Sequence, residues 1–475
     1  MTISATGLTG DLDLVGLAEA IAAGQVSSLA AVQSVIDRAE RLQPKLNCFI
    51  ATQFDRAVAA ARVLDAERAA GRLRGPLHGV PLAHKDMYAR AGDVSTGGAR
   101  IRAAFRPDHT ATVLDRLDRA GAIDLGTLNM AEFAVYPTGQ NVHFGDCRNP
   151  WDRDRTPGGS SSGSGAAVAA RLCWASLGSD SGGSTRIPAS LCGVSGIKPT
   201  VGRISRYGLM PVSHSLDHVG PLARSVRDLA RLMNVIAGPD DKDPETSPEP
   251  VPDYESGLEG GIDGLRIGVP RRYFFDGIHA DTEQAVEAAL SQFRTLGASI
   301  VEVDITEAEL CATYAYLVLF AEWSTVHASW LRTRLAEYGP SARTRLLRGL
   351  PIPASLYHTA LAHRGRLLKA VLTGCFAGVD LLCMPTTVVR APTLADSLET
   401  DEASSAAIGS LARNTRPFNY LGLPALSVPC GLDAQGLPIG LQFVGRPFGE
   451  GRLFRVGHAF QKATDWHRLR PPLAE

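Results

Sequence analysis

The sequence predicts an α/β protein in which helices cover a mixed, mainly buried β-sheet within one large domain. Segments with apolar residues three or four positions apart alternate with short apolar runs of strand length. The 475 residues are 45% hydrophobic and 20% charged, a composition that can bury a large core. Because no repeat or low-complexity array divides the chain, we prefer one domain to two or three separate ones.

The predicted elements follow one another along the chain. Residues 14–23 and 28–42 have helical spacing, with Ser27 or Ser28 available as the N-cap of the second helix. Residues 110–127 predict a helix followed by a strand, and 265–269 predict another strand. The domain is expected to comprise N-terminal helices (1–64), a central core segment (65–235), a Pro-, Asp- and Glu-rich surface linker (238–264), a helical segment (306–373) and the C-terminal part of the core (374–475).

Two dense Gly/Ser clusters flank one short apolar segment. They are GGSSSGSG at 158–165 and DSGGS at 180–184. Such stretches bury little apolar surface, but they offer closely approaching backbone N–H groups, small hydroxyls and unusual backbone angles. These features suit the stabilisation of a negative charge beside an activated serine. A pair of flexible loops is the plainer alternative, which two clusters around one element make less attractive.

Other motifs fit the clusters poorly. A P-loop needs a lysine after its last glycine, and a dinucleotide fingerprint begun at Gly163 needs glycine or alanine where Val168 stands. GSSSG at 159–163 matches the nucleophile elbow with Ser161 as nucleophile, which keeps an α/β-hydrolase open as an alternative. The absence of a strand before the motif weakens that alternative. Ser195 to Lys198 matches Ser-x-x-Lys, although the surrounding glycines and proline disfavour the helix that this motif needs.

The run 149–200, with a lysine upstream in GVPLAHKD at 79–86, resembles the signature region of the amidase signature family of serine amidohydrolases. That family uses a Ser–Ser–Lys triad. The spacing agrees, since 24 residues separate Ser160 from Ser184 and 75 separate Lys85 from Ser160. Segments 129–133, 215–221 and 436–442 extend the resemblance over most of the chain, which implies the amidase signature fold.

The resemblance implies a role for each member of the triad. Ser184 is the nucleophile, Ser160, preceded by a cis peptide bond, passes a proton between nucleophile and lysine, and Lys85 is the base. A serine hydroxyl needs such a base, and a lysine can serve only when burial lowers its pKa. The apolar run 80–83 could supply that burial. A surface lysine paired with Asp86 is the alternative that the two spacings argue against.

The loop around the nucleophile supplies further candidates. Asp180 and Arg186 flank Ser184, and an ion pair between them would act as a scaffold that holds the loop in shape. Backbone N–H groups converging on one carbonyl oxygen commonly contribute about 3–4 kcal/mol of transition-state stabilisation per donor. The candidate oxyanion donors are Ser181, Gly182, Gly183 and Ser184.

No cofactor and no metal are predicted. His214 and His218 have the spacing of a metal pair but lack the glutamate of His-Glu-x-x-His, and no Cys-x-x-Cys occurs. The eight dispersed cysteines are predicted to be reduced core thiols. His84 departs from the apolar residue common in the family. It is either a core histidine or a second polar group that alters the pKa of Lys85.

Substrate specificity is expected to lie in the helical segment 307–372. Its aromatic residues recur two to four positions apart and can share one helical face. In the family an insertion here roofs the acyl pocket, whereas a core stripe is the structural alternative. The candidate pocket residues are Met130, Tyr136, Trp323, His327 and Trp330.

The sequence therefore predicts an amidohydrolase that cleaves a small carboxamide through an acyl-enzyme on Ser184, releasing ammonia or an amine. The alternative within the family is the A subunit of a glutamyl/aspartyl-tRNA amidotransferase, which treats glutamine in the same way and passes ammonia to a partner. A catalytically silent binding protein of the same fold is disfavoured by the intact triad.

The expected partners are a small amide substrate and either a second copy of the chain or, in the amidotransferase alternative, a small helical subunit. The 48 basic and 49 acidic residues give no reason to expect direct binding of nucleic acid or a membrane. Residues 1–6 lack the features of a signal peptide, and no apolar run reaches 18 residues. A cytoplasmic location is the default expectation.

Overall fold

Strands from the whole length of the chain form one mixed sheet at the centre of the protein. The computed structural model describes residues 11–399 and 401–474, so the interpretation of residues 1–6 lies outside the described residues. The eleven strands of the sheet are β1 (Phe49–Thr52), β2 (Pro81–Lys85), β3 (Ile123–Leu128), β4 (Ala175–Ser179), β5 (Ser195–Lys198), β6 (Val219–Ala223), β7 (Arg266–Pro270), β8 (Ser299–Val303), β9 (Leu381–Pro385), β10 (Ala425–Leu432) and β11 (Pro438–Val444).

The strand order is β1-β3-β2-β4-β6-β5-β10-β11-β9-β7-β8. Strand β2 is parallel to both β3 and β4, and β7 is parallel to both β8 and β9. The remaining neighbours are antiparallel. Most strands are buried along their whole length, as expected for a sheet covered on both faces. The predicted α/β class with a mixed sheet is confirmed.

Helices pack against this sheet and against one another. Those of the described residues are α1 (Leu14–Ala22), α2 (Ser28–Leu46), α3 (Phe54–Ala69), α4 (Thr112–Arg119), α5 (Ser162–Ala169), α6 (Arg186–Cys192), α7 (Val226–Ile236), α8 (Ala280–Thr295), α9 (Ala308–Val326), α10 (Ala328–Thr333), α11 (Pro340–Leu347), α12 (Ala354–Thr373), α13 (Glu402–Ser410), α14 (Arg416–Tyr420) and α15 (Glu450–Ala463). None of the helices in the described ranges is long and apolar enough to cross a membrane.

The local predictions agree with these elements, with two differences. Ser27 caps α2 by accepting the Ala30 N–H at 3.0 Å, but the helix continues past residue 42 and ends where Asn47 adopts a left-handed φ of 52°. The predicted surface linker at 238–264 buries three apolar side chains, so it packs onto the domain. These are Tyr254, Leu258 and Ile262.

The parallel strands β2 and β4 create the edge on which both Gly/Ser clusters lie. They pair with Ala83 opposite Ser176, so their carboxyl ends at Lys85 and Ser179 meet on the same side of the sheet. The first cluster leads into α5, which packs against β4, and the second cluster follows β4 directly. The lysine and the two clusters, far apart in sequence, therefore converge.

Two of the secondary sequence interpretations are also settled by the fold. The Ser-x-x-Lys match at 195–198 is the buried strand β5, so the predicted absence of a helix there is confirmed. All eight cysteines are buried free thiols, as predicted.

Candidate active site

Lys85 occupies the buried end of β2 and contacts two serine hydroxyls. Its Nζ donates to Ser160 Oγ at 2.7 Å and to Ser179 Oγ at 2.9 Å. Burial lowers the pKa of Lys85 to about 7, although the charges of Asp217 and Asp180 oppose the shift. Near neutral pH much of this amine is therefore uncharged and able to accept a proton.

The alternative of a surface ion pair between Lys85 and Asp86 does not occur. Asp86 is itself buried, and its carboxylate accepts hydrogen bonds from the backbone N–H groups of Thr96 at 3.1 Å and Gly98 at 3.4 Å. Among the residues that the structure describes, the Lys85 amine therefore bonds only the two serines named above, while the Asp86 carboxylate orders the loop that follows β2.

His84 is a buried core histidine that faces away from the Lys85 amine. Neighbouring residues of a strand point to opposite faces of the sheet, and the His84 ring turns towards Asp124, with Nε2 and Oδ2 3.7 Å apart. It also contacts Tyr88 edge-to-face at 6.0 Å between ring centroids. This arrangement favours the core alternative for His84.

The first Gly/Ser cluster holds Ser160 beside the lysine. The peptide bond between Gly159 and Ser160 is cis. A side chain cannot replace the glycine, because a Cβ there would stand 2.4 Å from the backbone nitrogen of Gly139. The Ser161 hydroxyl is buried and accepts the Ser179 N–H at 3.2 Å, so it serves the end of β4. This bonding argues against the nucleophile-elbow alternative.

Asp180 and Arg186 form the expected ion pair within the second cluster. Arg186 Nη2 lies 2.9 Å from Asp180 Oδ1, and both side chains are completely buried. Although burial alone would raise the pKa of Asp180, the charge and hydrogen bonds of Arg186 hold it well below its usual range. The guanidinium also donates to Gln442 Oε1 at 2.7 Å and to the Thr415 carbonyl at 3.0 Å. The pair thus fixes the loop to the C-terminal part of the core.

Asp180 also takes one of the four predicted oxyanion donors. Its Oδ1 accepts the Gly183 N–H at 2.7 Å, so this N–H is not free to bind a substrate oxygen. Gly183 has a φ of 131° and approaches Thr415 so closely that only glycine fits. Within the described ranges no hydrogen-bond partner occupies the N–H groups of Ser181, Gly182 and Ser184. Three of the four candidates therefore remain.

A cavity of about 50 Å³ opens beside Ser184. Since one water needs roughly 10–15 Å³ of such space, the cavity has room for a few water molecules or a short acyl chain. Ser181, Gly182 and Ser184 form its floor. Besides small aliphatic residues, the lining includes four aromatic rings and two cations: Tyr136, Tyr316, Phe320, Trp323, Arg345 and Arg416.

The cavity contains only part of the predicted pocket set. Tyr136 and Trp323 line it, whereas Met130, His327 and Trp330 do not. Helix α9 ends at Val326, so the predicted single helical face stops there.

Beyond that break the aromatic residues pack elsewhere. His327 bonds the Tyr338 hydroxyl at 2.8 Å through Nδ1, and Trp330 lies against Phe133 with ring centroids 5.7 Å apart. Met130 is fully buried, and its carbonyl accepts the Asn141 side chain at 2.7 Å. For these residues the structure supports the core alternative.

His214 and His218 do not form a metal pair. The His218 ring is completely buried beside Lys198, and burial together with that lysine lowers its pKa well below the usual range. Within the described part of the chain, no group of three or more His, Cys, Asp or Glu side chains is placed to hold a metal ion.

Sequence reasoning missed several residues at this site. Ser179 accepts a hydrogen bond from Lys85, and Asp217 accepts one from the Ser181 hydroxyl. Arg345 and Arg416 line the cavity. Asp217 lies in the segment 215–221, which resembles the family, so the sequence could have indicated this residue. The two arginines come from separate helices far along the chain and carried no such signal.

Comparisons with known proteins extend over nearly the whole chain. A family model described as Amidase matches residues 30–454. The A subunit of the glutamyl-tRNA(Gln) amidotransferase of Chloroflexus aurantiacus is 41% identical over 476 residues, 96% of this chain and 97% of that protein.

Solved structures are similar to the same extent. A chain described with the words "an unexpected vestigial protein complex reveals the evolutionary origins of an s-triazine catabolic enzyme" has a TM-score of 0.89 at 35% identity, covering 95% of this chain and 98% of its own. A peptide amidase in complex with the competitive inhibitor chymostatin has a TM-score of 0.86 at 32% identity, covering 97% of this chain and 99% of its own.

Proposed function

Since the chain belongs to the amidase signature family, we propose that it cleaves the C–N bond of a small carboxamide through a covalent acyl-enzyme on Ser184. The observation that carries the proposal is the buried Lys85 amine, 2.7 Å from Ser160 Oγ, with a pKa of about 7. A buried amine in that state can act as a base at physiological pH.

In the proposed reaction, Lys85 takes a proton from Ser160 as Ser160 takes one from Ser184. The Ser184 oxygen forms a bond to the amide carbon, and the negative charge on the amide oxygen is met by free N–H groups of the loop 181–184. The C–N bond then breaks as the stored proton passes to the departing nitrogen, which leaves as ammonia or an amine. Water then attacks the acyl carbon and gives a proton through Ser160 to Lys85; the bond between that carbon and the Ser184 oxygen breaks, and the proton returns to Ser184 as the carboxylic acid leaves.

The curated relatives support one form of this chemistry, in which the chain works within an amidotransferase, takes ammonia from glutamine and passes it to a partner. The A subunits of the glutamyl-tRNA(Gln) amidotransferases of Chloroflexus aurantiacus and Pelobacter propionicus are 41% and 38% identical over almost the full length of the chain. This support favours the amidotransferase alternative over the free-standing amidase that the sequence suggested first.

A second form, an amidase that acts without a partner, is favoured by the charge of the cavity. The described residues that line the cavity include two arginines and no carboxylate. The α-ammonium group of glutamine would therefore enter a small site without an anionic partner, and a buried unpaired charge is costly.

Ammonia release from a panel of amides tests the proposed function. The purified chain should release ammonia from at least one small amide. Ser184→Ala should abolish that release without loss of folding, whereas Ser161→Ala should retain it. A fluorophosphonate probe should label the peptide that contains Ser184. Labelling at Ser161 alone, with an active Ser184→Ala variant, would refute the assignment.

The same panel separates the two forms. A component of an amidotransferase should prefer glutamine and gain glutaminase activity when co-expressed with a small helical partner. A free-standing amidase should act on a non-amino-acid amide as purified, with no gain from a partner.

A further inference from the structure

The two arginines of the cavity differ in how their charges are balanced. Arg345 Nε lies 3.0 Å from Glu399 Oε2, and both side chains are only 7% exposed. The guanidinium of Arg345 also stacks 4.2 Å from the ring centre of Tyr136, whose hydroxyl bonds the same carboxylate at 2.5 Å. Arg345 therefore has a carboxylate counter-ion inside the protein, which it shares with Arg348 at 2.8 Å.

Arg416 has no such partner. It is the first residue of α14, its side chain is buried in the cavity wall, and its guanidinium stacks 3.6 Å from the ring centre of Tyr316. Its side chain donates a long hydrogen bond from Nη2 to the Gly409 carbonyl at 3.4 Å, and its other hydrogen-bonding neighbour is the neutral Tyr316 phenol. It forms no ion pair with any residue of the described ranges 11–399 and 401–474.

An unpaired buried guanidinium is costly for the protein. The group stays protonated in proteins, so it cannot escape the cost by losing its charge. Desolvation lowers the pKa of Arg416, and the groups that oppose the shift are the phenols of Tyr316 and Tyr273 and not a carboxylate. The Arg345 charge lowers it further. Moving an ion out of water costs several kcal/mol unless a counter-charge meets it.

We propose that Arg416 binds an anionic group on the acyl side of the amide substrate, so that the enzyme takes short amides that carry a carboxylate. A guanidinium presents parallel N–H donors that match a carboxylate in a two-point contact. The cavity that Arg416 lines is the one that opens beside Ser184. Its volume of about 50 Å³ limits the spacer to a few carbons. This inference rests on the proposed function and adds the chemical class of its substrate.

Matched substrates test this assignment. Glutaramate, the monoamide of glutaric acid, and pentanamide have the same carbon chain and differ in having a carboxylate or a methyl group at the end. The wild-type chain should show a kcat/KM at least tenfold higher for glutaramate. Arg416→Gln should lower kcat/KM for glutaramate by 10- to 100-fold, mainly through KM, because hydrogen bonds to charged groups contribute about 1.5–3 kcal/mol. Activity on pentanamide should change less than threefold.

Arg413→Gln is the matched control, since Arg413 lies three residues away, stacks on Tyr273 and is not among the cavity residues. It should leave the glutaramate-to-pentanamide ratio unchanged. An equal preference of the wild type for the two amides, or an equal loss on both amides in Arg416→Gln, would overturn the inference.

A binding measurement keeps this test independent of turnover. Titration of glutaramate into Ser184→Ala by calorimetry should give a Kd at least tenfold lower than in the double variant Ser184→Ala/Arg416→Gln. Equal affinities would overturn the role of Arg416. If glutaramate binds in this Arg416-dependent way and no amide of the panel is cleaved, the proposed function fails while the anion site stands.

Discussion

Replacement of Lys85 by methionine should change how the stability of the protein depends on pH. Methionine has a similar length and no charge, so Lys85→Met removes the amine from its buried place between Ser160 and Ser179. The variant loses two hydrogen bonds at every pH. It also loses the titration of a group whose pKa differs between the folded and unfolded chain, and only that part depends on pH.

The size of the effect follows from the two pKa values. The pKa of Lys85 is about 7 in the folded protein, and in the unfolded chain it is about 10.4. Below pH 7 the amine is protonated in both states, and the folded protein bears the whole free-energy cost of burying its charge. Above about pH 10.4 the amine is neutral in both states, and this cost disappears. Between these limits the unfolded chain binds more protons, so wild-type stability rises with pH. One pKa unit corresponds to about 1.36 kcal/mol, which gives a total of roughly 4–5 kcal/mol.

Urea unfolding of the wild type and of Lys85→Met at pH 7, 8, 9 and 9.5 measures this difference. The free energy of unfolding of the wild type minus that of the variant should increase by about 1.4 kcal/mol for each pH unit between pH 8 and 9.5. The exposed Lys369, replaced by methionine, should show no such gain. A difference between wild type and Lys85→Met that stays constant with pH would show that Lys85 is not a desolvated amine and would refute the reasoning.

Three further predictions address activity and stability. The kcat/KM of the wild type should rise with pH through an apparent pKa near 7, because the reaction needs the neutral Lys85 amine, and Lys85→Arg should be inactive at every pH in the ammonia assay. Trp323→Phe should change the ratio of kcat/KM values between acyl groups of different length by about 10-fold or more, while Trp330→Phe, outside the cavity, should leave that ratio unchanged. The reverse result would show that Trp330, and not Trp323, lines the substrate pocket. Asp180→Asn leaves the buried charge of Arg186 without its counter-ion and should lower the free energy of unfolding by about 3–5 kcal/mol in urea titrations, so a loss below 1 kcal/mol would contradict the scaffold role.

The sequence by itself determined the features that depend on local pattern. Apolar spacing predicted the first two helices and the helix–strand unit at 110–127, because side-chain periodicity reflects which face of an element is buried. The Gly/Ser clusters and their distance from Lys85 indicated the family, which the comparisons show. The ion pair of Asp180 with Arg186 was predictable because the two residues stand six positions apart on one short loop.

Only the tertiary structure decided which side chains meet across the molecule. The aromatic stripe of the helical segment divides at Val326, where α9 ends, so Trp323 reaches the cavity and Trp330 does not. Gly183 was predicted to be an oxyanion donor, but its N–H is bound by Asp180. Arg416 lines the cavity without a carboxylate beside it among the described residues, and the fold alone decides which groups surround it. The physical reason is common to all three: hydrogen-bond partners and counter-ions are supplied by distant segments, and the sequence does not state which segments the fold brings together.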